Sequence, residues 1–368
     1  MRFFATAAKG TEPALRDELR ELRLRRVRAD RGGVHFEGDL GDAARACLWS
    51  RVAVRVLLEL GSFDAASGEE LYARTRELDW PAWMNEKTTL AVRASCKSSA
   101  LTHSQFVAQK TKDAVVDVLR ERLGARPSVD RDDPDVIVSV HLVRDRATLY
   151  LDVGGGSLHE RGWRPRSGEA PLKETLAAAV VRLAGWDRER PLCDPMCGAG
   201  TIAIEAAAWA ARIAPGLGRP RFGLERWASH DDAMRTRLRE LREQAKGERG
   251  PGAPVFAFDA DPRAIERTRG NAREAGVNVI VERREVRALE PLVPPGFVVT
   301  NPPYGERLDA GKELYDDLSR ALRRMHGHTA AILAGSPELR RALGREPDRW
   351  WILFNGPIEC RLLVLDVP

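Results

Sequence analysis

The 368-residue chain is 43% hydrophobic and 31% charged, the composition of a soluble globular protein of two or three domains, and no run in it approaches the roughly 18 apolar residues of a membrane span. Its net charge of +5 is carried mostly by arginine, which suits bidentate phosphate contacts and is compatible with a nucleic-acid partner, although a GC-rich genome produces the same bias. Five scattered cysteines (Cys47, Cys96, Cys193, Cys197 and Cys360) argue against a disulfide framework, and no second Cys or His pair lies near Cys193 and Cys197 to complete a metal site, so no metal is expected.

The N-terminus, MRFFATAAKGTEPALRDELREL, turns charged too early for a signal peptide, so a cytoplasmic location is expected. RFFATAA reads as a short strand, followed by a helix that Thr11 caps, with Glu12 and Pro13 in its first turn. GGVHFEG reads as a second strand, and Asp42 to Leu58 as one helix. This alternation predicts a small α+β module of ferredoxin-like kind. A second unit runs from about Leu71 to Asp152. TTLAVRAS, DVIVSVHLV and ATLYLDV read as strands, and Ser104 to Leu123 as a helix burying Phe106, Val107, Ala114, Val115 and Val118. LHERGWRPRSGEAP, rich in Gly, Pro and Arg, has no periodicity and reads as a linker.

From Leu172 onward helices and strands alternate, which predicts a doubly wound, mostly parallel sheet. Ligands of such sheets bind at the carboxyl ends of the strands, where the motifs of this chain fall. After an apolar strand, Asp194-Pro195-Met196-Cys197-Gly198-Ala199-Gly200-Thr201 opens a helix, with two glycines for a tight turn and close ligand approach. The loop also satisfies a relaxed dinucleotide fingerprint, and a purely structural turn remains open. Asp194 favours S-adenosylmethionine, because a carboxylate there repels pyrophosphate and attracts the ammonium of a methionine moiety. Asp259 ends the next strand, where it can accept both ribose hydroxyls or act as a cap, and Asp261 is placed as a helix N-cap. Glu285 follows the third strand and can accept from an adenine amino group, or be a surface residue.

The strand Val298-Val299-Thr300 ends in Asn301-Pro302-Pro303-Tyr304, where two prolines stiffen the backbone and leave its carbonyls free. The Asn301 side-chain oxygen and the Pro302 carbonyl can each accept one hydrogen of an exocyclic amine on a nucleobase. That arrangement favours pyramidal nitrogen and aims its lone pair at a methyl sulfonium. Tyr304 can stack on a base swung out of its helix. The competing reading is a proline-rich turn with an Asn cap and a core Tyr. Arg307 can hold the following loop, touch RNA phosphate or form a surface ion pair.

DPMCGAGTIAIEAA followed by TNPPYGERL resembles the guanine 2-amino RNA methyltransferases, and within them the RlmL-type enzymes of 23S rRNA. RGGVHFEGD and LWSRVAVRVLL resemble that family's ferredoxin-like part; HSQFVAQKTKDAVVDVLRE and PSVDRDDPDVIVSVHL resemble its THUMP domain, an RNA-binding module. LHERGWRPRSGEAPLKETLAAA is similar to its linker and lead-in helix, and APGLGRPRFGLERWASHD to its insertion after the first nucleotide-binding helix. The resemblance implies a ferredoxin-like domain over 1–65, a THUMP domain over 66–155, a linker over 156–171 and a Rossmann-like class I methyltransferase domain over 172–368. It also implies S-adenosylmethionine as donor and N2-methylguanosine in RNA as product. The cofactor set is then Asp194, Met196, Gly198, Gly200, Asp259, Glu285 and Asn301, and the catalytic set Asn301, Pro302 and Tyr304. Glu285 stands where the family usually has Asp. RNA contacts are expected from Lys110, Lys112, Arg161, Arg164, Arg166 and Arg307. The second methyltransferase half fused in some members does not follow, so any activity it supplies is expected to be missing or carried by another protein. The expected partner is 23S rRNA, with tRNA as the alternative. A DNA adenine methyltransferase shares the Asn-Pro-Pro-Tyr motif, but the THUMP-like segment argues against it. Intact Asp194, Gly198, Gly200 and Asn301 argue against a non-catalytic RNA-binding or assembly protein.

Overall fold

The computed structural model describes residues 1–124, 127–164, 172–304 and 311–368. The N-terminal part contains β1 (Arg2–Thr6), α1 (Glu12–Glu21), β2 (Arg25–Asp30), β3 (Gly33–Glu37), α2 (Leu40–Trp49) and β4 (Arg55–Asp64). It continues through α3 (Gly68–Arg76), β5 (Leu90–Lys97), α4 (Ser104–Leu123), β6 (Val136–Val143) and β7 (Arg146–Asp152). All seven strands form one sheet in the order β2-β3-β1-β4-β7-β6-β5. Only β5 and β6 run parallel; the other neighbours are antiparallel. The pairing of β4 with β7 therefore joins the two units read from the sequence into a continuous sheet.

The expected helix from Asp42 to Leu58 is half helix and half strand. Asp39 and Asp42 form a reciprocal capping box at the start of α2, but the chain turns extended at Ser50. The cause lies on α1, where the buried Glu18 carboxylate accepts from the Ser50 hydroxyl and from the backbone N–H groups of Arg51 and Val52. These bonds draw the chain out of the helix. Beyond them Val56 and Leu58 face the core at strand spacing. Thr11 precedes α1, but its hydroxyl donates back to Ala8 O instead of capping the helix. In α4, Val107, Ala114, Val115 and Val118 are buried as expected, together with Thr111 and Leu119. Phe106 is 42% exposed; it sits one turn into the helix and lies across Gly68 at the start of α3.

The C-terminal part contains α5 (Glu174–Leu183), β8 (Leu192–Asp194), α6 (Thr201–Ala210), α7 (Asp232–Gly247), β9 (Val255–Asp259), α8 (Pro262–Glu274) and β10 (Ile280–Arg283). It ends with β11 (Phe297–Thr300), α9 (Gly311–Arg323), β12 (Thr329–Ala334), α10 (Pro337–Leu343), β13 (Arg349–Asn355) and β14 (Ile358–Asp366). The sheet order is β10-β9-β8-β11-β12-β14-β13. The first five strands are parallel, and β14 runs antiparallel to both neighbours. This is the expected doubly wound, Rossmann-like sheet. Its order reverses at β8, because the chain moves outward through β9 and β10 and returns to the other side at β11. A crevice therefore opens at the carboxyl ends of β8, β9 and β11.

Two contacts fix this sheet relative to the N-terminal one. Residues of the insertion between α6 and β9, among them Phe222, Leu224, Trp227, Leu238 and Ala245, belong to the N-terminal hydrophobic core. A buried ion-pair cluster lies at the junction. Glu205 of α6 pairs with Arg51 and with Arg161, and all three side chains are at most 4% exposed. Among the described residues no helix is long and apolar enough to cross a membrane.

Candidate functional site

The glycine-rich loop between β8 and α6 is built as its glycines demand. Gly198 and Gly200 take positive φ values of 56° and 80°, which L side chains rarely adopt. A Cβ on Gly200 would also stand 2.6 Å from Thr268 Cγ2. The Cys197 N–H donates to Phe258 O at 2.9 Å, and the Gly198 N–H to Asp259 Oδ2 at 2.9 Å, so the loop is tied to the end of β9. Asp259 Oδ1 accepts from the Asp261 N–H, and Asp261 caps α8 through Arg263 N. Two residues of α8, three positions apart, brace the loop from behind. The Thr268 hydroxyl donates to Gly198 O at 3.1 Å, and the Asn271 amide to Ala199 O at 2.9 Å. Their spacing on one helix face is the only sign of this role in the sequence.

Asp194 ends β8 and is 2% exposed. Its Oδ1 accepts from the Thr300 hydroxyl at 2.9 Å and from the Met196 N–H at 3.3 Å. No cation among the described residues pairs with it. Burial pushes its pKa up to about 7; the Thr300 and Met196 hydrogen bonds oppose that shift and nearby Asp259 adds to it. A carboxylate kept this dry fits a site completed by a positive ligand.

Asn301 and Pro302 follow directly on β11, beside β8 in the sheet. The Asn301 Oδ1 atom is buried and has no hydrogen-bond partner among the described residues. Such an acceptor costs about 1–3 kcal/mol unless something fills it. The turn itself is well anchored. The Tyr315 hydroxyl donates to Pro303 O at 2.8 Å, and the Tyr304 hydroxyl accepts from the Asn355 amide at 2.7 Å. The Tyr304 ring lies against Gly335, where a Cβ would come within 2.6 Å of it. Sequence reading missed Thr300, Tyr315, Gly335 and Asn355, whose partners lie between 12 and 106 positions away in the chain.

Glu285 lies two residues beyond Arg283, the register partner of Asp259, and so at the same edge of the sheet. Its side chain is half exposed and pairs with Arg287. The structure thus brings Asp194, Met196, Gly198, Gly200, Asp259, Glu285, Asn301, Pro302 and Tyr304 to one edge of the sheet. Among the described residues no cluster of three or more His, Cys, Asp or Glu side chains is arranged to hold a metal.

The expected RNA contacts fare differently. Arg161 is not a linker residue facing solvent; it is buried, and its guanidinium donates to Glu205, Leu158 O and Arg51 O. Arg164 is held likewise by Thr201 Oγ1, Leu172 O and Glu174. Both arginines stitch the chain between the two sheets to α5 and α6, so their guanidiniums are engaged within the protein. Lys110 and Lys112 lie on α4, the latter paired with Asp113. Arg166 and Arg307 lie outside the described residues.

Residues 161–363 match the RMKL-like methyltransferase domain, residues 65–152 the THUMP domain and residues 2–57 the RlmL ferredoxin-like domain. The chain belongs to the RMKL-like methyltransferase family. A ribosomal RNA large subunit methyltransferase K/L from Syntrophotalea carbinolica is 44% identical, over 100% of this chain and 54% of its own length. The chain spans about half the length of the curated relatives it matches. Among solved structures, SMU.472, a putative methyltransferase complexed with SAH, superposes with a TM-score of 0.89 at 31% identity, covering 100% of this chain and 98% of that one. A predicted N6-adenine-specific DNA methylase from Listeria monocytogenes superposes with a TM-score of 0.90 at 31% identity, covering 100% and 96%.

Proposed function

We propose that this family member transfers a methyl group from S-adenosylmethionine to the exocyclic 2-amino group of a guanosine in RNA, with 23S rRNA as the substrate and N2-methylguanosine as the product, in the cytoplasm. The observation that carries the reading is the buried Asn301 Oδ1 at the end of β11, without a hydrogen-bond partner among the described residues, one strand away from a buried Asp194 that no described cation pairs with. An acceptor poised for an N–H and a carboxylate poised for a cation are the two polar needs of amine methylation by a sulfonium donor.

The residues present fit that donor. Asp194 Oδ2, to which no described residue donates, would receive its ammonium; Asp259 would take the ribose hydroxyls and Glu285 the adenine amino group. The Gly198–Gly200 turn and Met196 let the backbone close on the methionine moiety. When bound, the cofactor supplies an electrophilic methyl group. Asn301 Oδ1 and Pro302 O each accept one amine hydrogen, pulling the nitrogen out of conjugation with the ring. Its lone pair would thereby be aimed at the methyl group that the cofactor supplies, and no strong base is needed beforehand, because the amine proton turns acidic only as the new bond forms and can then pass to water. Tyr304, held by Asn355 and Gly335, orients the base. The protein's share is positioning and fixed dipoles.

In this reading the ferredoxin-like part (1–65) and the THUMP part (66–155) bind RNA, with Lys110 and Lys112 on α4 meeting phosphate, and the linker (156–171) leads to the methyltransferase part (172–368). The Syntrophotalea relative supports large-subunit rRNA over tRNA. The Listeria neighbour keeps a second reading in view, N6-methylation of adenine in DNA, which the same motif can perform. The THUMP domain favours RNA. The test is to incubate the protein with methyl-labelled S-adenosylmethionine and, separately, 23S rRNA, tRNA and duplex DNA, then digest to nucleosides for mass spectrometry. N2-methylguanosine from 23S rRNA is expected; N6-methyladenine from DNA, or no labelled product, overturns the proposal.

A further inference from the structure

We infer that Thr300 is a positioning residue of the cofactor site, whose hydroxyl orients the Asp194 carboxylate so that one oxygen faces the cofactor's ammonium. The inference rests on the S-adenosylmethionine reading above. Thr300 is the one polar side chain of β11, after Phe297, Val298 and Val299, and it is fully buried. Its hydroxyl reaches across to β8 and donates to Asp194 Oδ1 at 2.9 Å. The Met196 N–H donates to the same oxygen. Two donors on Oδ1 fix the rotation of the carboxylate, and no hydrogen bond from a described residue reaches Oδ2. The ligand is left one oxygen in a set direction. Thr300 also immediately precedes Asn301, so a single strand end holds both the Asp194 carboxylate and the acceptor for the target amine.

The same hydrogen bond acts on ionisation. Burial and Asp259 favour the neutral acid, while the Thr300 hydroxyl favours the carboxylate. Without the hydroxyl, protonation of Asp194 extends to higher pH by about one unit, the tenfold effect typical of a hydrogen bond to a charged acceptor. The ammonium then meets a neutral acid over a wider pH range.

The test is the dissociation constant of S-adenosylhomocysteine, measured calorimetrically between pH 6 and 9 for the wild type, Thr300→Val and Thr300→Ser. The ratio of variant to wild-type Kd cancels the titration of the ligand itself. For Thr300→Val the ratio is expected to be about tenfold at pH 6 and to approach one by pH 9, with Thr300→Ser close to one throughout. A ratio that does not change with pH marks a merely structural role and overturns the inference, as does a serine variant no better than valine. If Thr300→Val does not fold by circular dichroism, Thr300→Ala is read in the same way. Absence of binding by the wild type overturns the cofactor reading and this inference with it; intact binding with a flat ratio overturns the inference alone.

Discussion

Asn301→Ala is expected to stabilise the protein and disable it at once. Among the described residues nothing donates to the buried Asn301 Oδ1, an arrangement that costs about 1–3 kcal/mol. Alanine removes that carbonyl and gives up the packing of a side chain that is only half buried. A net gain of about 1 kcal/mol raises Tm by about 2–4 °C for a unit of this size. Methyl transfer moves the other way. In the proposed mechanism the lost acceptor is one of two aimed at the amine as charge develops on it, and removing such a contact costs about 3–4 kcal/mol, or two to three orders of magnitude in rate. Affinity for S-adenosylhomocysteine should stay within a few-fold, because the proposed ammonium and ribose contacts lie on Asp194 and Asp259. Differential scanning fluorimetry and single-turnover methylation of rRNA measure the two effects on one preparation. A lower Tm combined with near-normal turnover refutes the reasoning, since it would mean that Asn301 serves the fold and not the substrate.

Four further outcomes are expected. Arg161→Ala strips a buried partner from Glu205 and should cost about 3–5 kcal/mol of stability, read as a lowered denaturant midpoint; an unchanged midpoint with weakened RNA binding would restore the surface role expected from the sequence. Lys110→Glu should leave the melt nearly unchanged and weaken RNA binding most at low salt; filter binding that is equal at two salt concentrations counts against α4 as an RNA contact. Gly200→Ala must hold an alanine at a φ of 80° against Thr268, which costs about 1–2 kcal/mol from the backbone alone, and the disturbed loop should lose S-adenosylhomocysteine affinity. Burial raises the folded pKa of Asp194 to about 7 from an ordinary value of 3.8, so its contribution to stability is complete below about pH 4 and is lost as pH rises through 7. Relative to Asp194→Asn, the ligand-free protein should therefore weaken between pH 5 and 7.5 in urea melts, and parallel curves for the two proteins would contradict the shift.

The parts of the site legible in the sequence are those that make a demand on their own backbone. Gly198 and Gly200 need positive φ, and a strand that runs into Pro302 and Pro303 must end there. Both demands act within a few residues. The bracing residues are different, because their partners are remote. Thr300 answers to Asp194, 106 positions away, and Asn355 to Tyr304, 51 positions away. No local pattern distinguishes such a Thr or Asn from a solvated one. Arg161 misled for the same reason. Its charge reads as surface, while its partners Glu205 and Arg51 O lie 44 and 110 positions away and become neighbours only once the two sheets pack. The stretch from Asp42 to Leu58 misled at the level of the fold, since alternating valines satisfy strand and helix periods alike over so short a run. The Glu18 carboxylate, on another element, decides between them.

That junction bears on how a target base reaches Asn301. The Arg51 side chain donates to Ala208 O and Ile213 O, at the carboxyl end of α6, while the amino end of α6 carries the glycine loop. Helix α6 is thus gripped at one end by the ferredoxin-like part and shapes the cofactor site at the other. On the THUMP side the Ala228 N–H donates to Trp83 O, the Trp83 and Trp227 rings meet edge to face, and Arg226 pairs with Asp133. Buried ion pairs and a shared apolar core tolerate little sliding, because moving either part would strand Glu205 without its arginines. The distance from the THUMP surface to Asn301 is therefore set by the fold. Under the proposed function, an RNA held on the THUMP domain would present to the site only those bases that lie at that fixed distance, so the choice of guanosine would depend on the shape of the RNA as well as on the pocket around the base.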